Sequence, residues 1–201
     1  MTQIPAASGV VLAGGRSARF GRDKLVEPIG DRPLLHLAIE AVAAVTSEVI
    51  VVAAPDATPD LPVGIRLVHD EAPFEGPLAG SMAGLTAARE PFVLIVGGDM
   101  PSLAPAVLGL LLRVLEASAA EACVIEHHGR RQPLPMAIRT GTGTALVARL
   151  VAEHERRLGA VLDRLIVRTL AEGEWRPLDP EARTLRDIDL PEDLRRAGDD
   201  A

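Results

Sequence analysis

The chain has 201 residues, 48% of them hydrophobic but only 2% aromatic, and a formal net charge of −7. That length suits one domain with a substantial core, and an acidic balance with few stacking rings argues against a nucleic-acid binder. The core must come from Leu, Val, Ile and Ala, a mix that suits parallel strands beneath Ala- and Leu-rich helices.

Apolar runs alternate with helical patterns along the chain, the signature of βαβ units and hence of an α/β fold with a mostly parallel sheet. GVVLA (residues 9–13) reads as a first buried strand. PLLHLAIEAVAAV (33–45) follows as a helix, with Leu34, Leu37, Ala38, Ala41 and Val45 on one stripe. EVIVVAA (48–54) and IRLVH (65–69) are strands, and GPLAGSMAGLTAARE (76–90) is a helix with Pro77 in its tolerated first turn. FVLIVGGD (92–99) is a strand ending at Asp99, APAVLGLLLRVLEAS (104–118) a helix and EACVIEHH (121–128) a strand. The prolines of QPLPMAIR (132–139) predict an edge strand or irregular geometry. Residues 141–165 read as one or two helices and PEDLRRAG (191–198) as a short terminal one. No apolar run reaches membrane-spanning length and no leader pattern is visible, so the expected location is cytoplasmic.

The run LAGGRSARFGRDK (12–24) leaves the end of the first strand, where open α/β sheets bind ligands. Gly14 and Gly15 allow close backbone approach and offer N–H donors to phosphate oxygens. Arg16, Arg19, Arg22 and Lys24 concentrate positive charge against the acidic background, which would focus a polyanion there. The spacing matches neither a P-loop nor the dinucleotide fingerprint. In GGDMP (97–101), Asp99 is placed to hold Mg²⁺; the alternative is a helix cap, a role that Ser102 could fill instead. Asp70, at a strand end, either contacts a ribose or base or simply terminates the strand. The smooth helix face of Gly80, Ala83, Gly84 and Ala87 must meet either the sheet or a planar ligand, packing on the sheet being the simpler account. Cys123 reads as a buried thiol, and His127-His128 as a turn before Gly129.

Taken together, LAGGRSARFGRDK, GPLAG (76–80), GGDMP, RQPLPMAIR (131–139) and DIDLPEDL (187–194) resemble, in the same order, the motifs of the MobA-like nucleotidyltransferases. The resemblance implies a three-layer Rossmann-like nucleotidyltransferase fold of the nucleotide-diphospho-sugar transferase type. It implies one domain over residues 1–201, with a nucleotide-binding half near 8–105 and an acceptor half near 106–198. It further implies a Mg²⁺-dependent enzyme that transfers GMP from GTP to the phosphate of a molybdopterin and releases pyrophosphate. On that likeness Leu12, Ala13, Gly14 and Gly15 would meet the nucleotide through their backbones. Arg19 and Lys24 would neutralise phosphates, Asp70 would help bind the nucleotide and Asp99 would hold Mg²⁺ near the α-phosphate. DIDLPE stands where the guanine-using branch tends to read Asn-x-Asn-Thr-Pro-Glu, so CTP stays open beside GTP, as does another phosphorylated acceptor. Asp187 and Asp189 are either a second metal-facing pair or the cap before Pro191. The implied partners are the nucleotide, a molybdopterin-type acceptor and molybdoenzyme-delivery proteins, with no nucleic acid and no membrane. A non-catalytic nucleotide-binding module is the reading from a different class; it need not carry Arg19, Lys24 and Asp99 together.

Overall fold

The computed structural model describes residues 3–14, 24–70 and 76–199. Seven strands form one sheet in the order β5-β4-β1-β6-β8-β7-β9. They are β1 (Ala7–Leu12), β4 (Glu48–Ala53), β5 (Arg66–His69), β6 (Phe92–Gly97), β7 (Ala122–His127), β8 (Arg130–Arg139) and β9 (Val167–Leu170). A small antiparallel pair, β2 (Pro28–Ile29) and β3 (Arg32–Pro33), lies apart from it. β1 pairs in parallel with β4 and β6, β4 with β5, and β7 with β9. β8 alone runs the other way, antiparallel to both of its neighbours. The carboxyl ends of β5, β4, β1, β6, β7 and β9 therefore share one edge of the sheet.

Helices cover both faces, because β1, β4 and β6 are buried nearly end to end and leave neither face for water. On one side α1 (Leu34–Ala43) and α3 (Pro105–Glu116) bring Val42, Leu108, Leu111 and Leu112 against Val11, Val51 and Leu94. On the other, α2 (Pro77–Ala87), α4 (Thr140–Ala152) and the short α5 (Gly159–Leu162) pack Leu85, Val147 and Val161 against Val10, Ile50 and Ile95. The smooth face of α2 meets the sheet: a Cβ on Gly84 would stand 2.5 Å from Cγ1 of Val10. Cys123 is fully buried within this core, and desolvation pushes its thiol up to about 12, so it is no nucleophile. Among the described residues no helix is long and apolar enough to cross a membrane.

Two expectations need correction. The buried stripe of α1 is Leu34, Leu35, Ala38, Ile39 and Val42, not the set running through Leu37 and Ala41. Leu37 turns partway toward a separate cluster on the flank of the helix, described below. QPLPMAIR is irregular but not an edge, since β8 lies between β6 and β7. Pairing to β6 stops at Met136, and pairing to β7 jumps from Met136 to Gln132. Pro133 and Pro135 fall inside that gap, where no ladder N–H is required; the Leu134–Pro135 peptide is cis. The chain then passes through α6 (Glu172–Trp175) to α7 (Pro191–Asp199).

Candidate active site

The carboxyl edge of the sheet collects the residues that the motifs single out. β1 ends at Leu12, and Ala13 donates its N–H to the carbonyl of Val52 on the neighbouring strand, 2.7 Å away. Gly14 follows, exposed, and a Cβ there would find nothing among the described residues closer than the amide of Ala54 at 4.0 Å. It is not among the glycines with positive φ either. Among the described residues neither turn geometry nor crowding calls for a glycine here.

β6 delivers Asp99 to the adjoining position. Gly97 makes this possible, because a Cβ there would stand 2.5 Å from Oδ1 of Asp99 and drive the carboxylate away. Asp99 is not a helix cap: α3 starts at Pro105 with Ala104 as N-cap, and no side chain caps it. Ser102 does not fill that role either, contrary to the sequence expectation. Thr184 accepts from the N–H of Ala104 at 3.0 Å, while its own N–H donates to Asp179, which is buried. This knot ties the segment leading to residues 187–189 onto the start of α3.

Lys24, in a single 3-10 turn (Lys24–Val26), joins the two regions. Its ammonium donates to Oδ2 of Asp99 at 2.8 Å, to the carbonyl of Ile188 at 2.7 Å and to Oδ1 of Asp189 at 3.3 Å. Burial alone would lower the pKa of this ammonium; hydrogen bonding and charge from Asp99, then Asp189, outweigh it and hold the pKa above the usual lysine range. Lys24 is thus a fixed positive charge at neutral pH. Asp187 shifts upward: desolvation leads, and the charges of Asp189 and then Asp99 push the same way, against opposing pulls from its own backbone N–H and, more weakly, from Lys24.

What places Asp187 and Asp189 is the residue between them. Ile188 is buried with Ile29 and Leu34, packed against Leu25, Leu37 and Leu194, and its N–H donates to the carbonyl of Asp99 at 2.9 Å. With Ile188 as an apolar plug, its two acidic neighbours remain exposed. The cap of α7 comes from Asp193, which accepts from the N–H groups of Asp189 and Leu190 at 3.1 and 2.8 Å. The Asp189 carboxylate instead reaches Lys24. The structure therefore brings Lys24, Asp99 and Asp189 into contact, with Leu12, Ala13 and Gly14 on the adjacent strand end. Asp70 stands on the same edge but beyond β4, its N–H donating to Ala53 at 2.9 Å. Gly15 and Arg19 lie outside the described residues. The carbonyl of Ile188 escaped the sequence reading; the alternation Asp-Ile-Asp was the one signal that could have exposed it.

Hard oxygen donors, two carboxylates and a carbonyl, thus converge on one cationic group, which is the donor chemistry a Mg²⁺ ion requires. Beside them opens a cavity of about 370 Å³ whose lining includes Asp187, Ser102, Arg186 and Arg196.

The chain is similar to known proteins along most of its length. The MobA-like NTP transferase domain matches residues 9–169. A probable molybdenum cofactor guanylyltransferase of Chloroflexus aggregans is 37% identical over 193 residues, covering 94% of this chain and 91% of the relative. Among solved structures, a molybdopterin-guanine dinucleotide biosynthesis protein A from Archaeoglobus fulgidus superposes with a TM-score of 0.79 at 22% identity, covering 96% and 97% of the two chains. A Mycobacterium tuberculosis protein solved as a complex with manganese gives 0.71 at 21% identity, covering 98% of this chain and all of that one. The fold is the Rossmann-like nucleotidyltransferase fold, and the chain belongs to the MobA-like NTP transferase family.

Proposed function

We propose that the protein transfers GMP from GTP to the terminal phosphate of a molybdopterin, forming a guanine dinucleotide and releasing pyrophosphate. The observation that carries this reading is the Lys24 ammonium clasped by Asp99 and Asp189 beside the open glycine end of β1. The names of the guanylyltransferase relatives support the choice of nucleotide and acceptor.

In the reaction an oxygen of the acceptor phosphate attacks the α-phosphorus, the bond from that phosphorus to the β-phosphate bridging oxygen breaks, and pyrophosphate leaves. Such a transfer asks a protein for positioning and charge stabilisation, not for a covalent nucleophile. The backbone at Leu12, Ala13 and Gly14 would seat the nucleotide. Lys24, protonated throughout the neutral range, would hold the phosphates and steady the charge that grows on the departing pyrophosphate. Arg19 would add to that charge, and Asp70 would contact the nucleotide from the far side of β4. Asp99 and Asp189 would hold Mg²⁺, which when bound neutralises phosphate charge and makes the phosphorus more electrophilic. The manganese complex of the Mycobacterium tuberculosis neighbour supports a divalent ion in this fold. The cavity lined by Arg186, Asp187 and Arg196 would take the anionic acceptor.

The test is pyrophosphate release with molybdopterin and each of GTP, CTP, ATP and UTP in turn, with Mg²⁺ present. Release with GTP alone, accompanied by the dinucleotide, is expected. Selective use of CTP would move the protein to the cytidylyl branch, in keeping with DIDLPE, and GTP binding without release would leave only a binding module.

A further inference from the structure

A second cluster of chemically able side chains lies on the same rim of the sheet, on strands away from Lys24. β7 ends at His127, and the turn into β8 runs through His128 and Gly129 with φ of 50° and 71°. Successive strand residues ordinarily point to opposite faces. The left-handed turn at His128 breaks that rule and folds its ring back beside His127, with ring centroids 3.9 Å apart. From α6, after β9, Glu172 comes in between them. Its Oε1 accepts from the N–H of His128 at 2.7 Å and stands 3.3 Å from Nδ1 of His127. That Nδ1 atom is buried and has no hydrogen bond. One nitrogen from each histidine and one oxygen of Glu172 all fall within 4.8 Å of one another.

We propose that His127, His128 and Glu172 form a binding site for a divalent transition-metal ion of zinc type, separate from the nucleotide site. Two imidazoles and a carboxylate with open positions are the donor set of borderline ions such as Zn²⁺, Ni²⁺ and Co²⁺, whereas Mg²⁺ wants oxygen alone. A tetrahedral ion with bonds of about 2.0–2.1 Å separates its ligands by about 3.3 Å. His127 and Glu172 already stand at that distance. The exposed side chain of His128 has only to rotate inward. The orphaned Nδ1 of His127, aimed at a carboxylate, gains a partner once the ion sits between them. Among the described residues, the arginine paired with Glu172 is Arg176, 3.9 Å from its other oxygen and too loosely held to compete for the inner one. The Glu172 carboxyl is held below its usual range, chiefly by the backbone N–H of His128, and is ionised and ready to ligate. An ion here would clasp the β7–β8 turn to α6.

The site carries its own reporter. Trp175, the only tryptophan in the chain, is buried with its ring edge-on to His127 at 5.9 Å. Tag-free full-length protein, titrated with Ni²⁺ or Co²⁺, should show one saturating quench of tryptophan emission, and Zn²⁺ should displace the quenching ion. Mg²⁺ should do neither. The quench should persist in the Asp99→Asn variant and weaken about tenfold or more in Glu172→Gln, which keeps an acceptor for the His128 N–H, and in His128→Ala, whose side chain is exposed. His127→Ala should abolish it. Absence of a quench in the wild type, an unchanged quench in both Glu172→Gln and His128→Ala, or its loss in Asp99→Asn would overturn the proposal. None of these outcomes depends on nucleotide transfer.

Discussion

The two edges of the sheet handle charge in opposite ways. At the amino-terminal edge, Ser8 on β1 donates to Oε1 of Glu48 at 2.7 Å, and Arg66 on β5 donates to Oε2 at 2.6 Å. The N–H of Arg89 reaches the same carboxylate at 2.9 Å, and that of Glu90 reaches the Ser8 hydroxyl at 3.1 Å. Desolvation pushes the Glu48 carboxyl up, but the bonds from Ser8, Arg66 and Arg89 win and hold it below the usual range. At the carboxyl edge Asp187 moves the other way, raised by desolvation and by its fellow carboxylates. One edge is a finished structural joint; the other keeps a surplus of carboxylate charge that a bound cation would offset. The proposed site is the edge where electrostatic satisfaction is withheld.

The comparison breaks first, and hardest, at Lys24. Lys24→Ala and Asp99→Asn should each cut turnover about a hundredfold or more, the size of one lost charge-assisted contact of about 3 kcal/mol. Circular dichroism matched to the wild type would confirm that the fold is kept. Near-normal turnover in either variant would return these residues to a structural role. At the opposite edge, Glu48→Ala should leave turnover unchanged at low temperature while costing about 1–3 kcal/mol of stability, because it removes the acceptor of the buried Ser8 hydroxyl and the partner of Arg66 and of the Arg89 N–H. Calorimetry would show this as a drop in Tm of about 2–4 °C per kcal/mol for a chain of this size. The Glu48 carboxyl is depressed in the folded state, so its contribution is present above about pH 4.3 and is lost as pH falls through its lower folded value. The acid limb of the stability profile should therefore flatten in that variant.

The smallest effect is the sharpest test of the contrast. Asp187 is raised in the folded state, so the stability it contributes is greatest in acid and is lost as pH rises through its folded value. Asp187→Asn should then raise Tm by about 1 °C at pH 7 and by nothing near pH 3.5. Stabilisation at both pH values, or at neither, would show that the surplus charge at this edge is not felt.

Most of this architecture was legible because the central strands are buried runs rich in Val and Ile, closed by glycines or, after β4, by a proline. GVVLA, EVIVVAA, FVLIVGGD and EACVIEHH all became strands within a residue or two. Of the short strands only β5 was read, as IRLVH; β9 reads VRTL with only Leu170 fully buried, and β2 and β3 have two residues each. That Asp99 and Lys24 come together at the carboxyl edge was legible because the glycine-flanked loops after β1 and β6 leave neighbouring strand ends. The contact of Lys24 with Ile188 was not, since it spans 164 residues and depends on an apolar plug seated among Ile29 and Leu34. The placement of QPLPMAIR was misread for a related reason: proline forbids ladder bonds only where the ladder continues, and here it lapses on both sides.

The reversed strand also sets an order of events during synthesis. Residues 7–97 already contain β1, β4, β5 and β6, paired side by side. The far side of β6, wholly buried in the finished protein, gains its partner only when residues 136–139 arrive. A nascent chain halted between those points carries a bare apolar strand edge, the kind that pairs readily with a neighbouring chain. The interval in which α3 and β7 emerge from the ribosome is thus when this protein is most open to aggregation, and when a holding chaperone has most to protect.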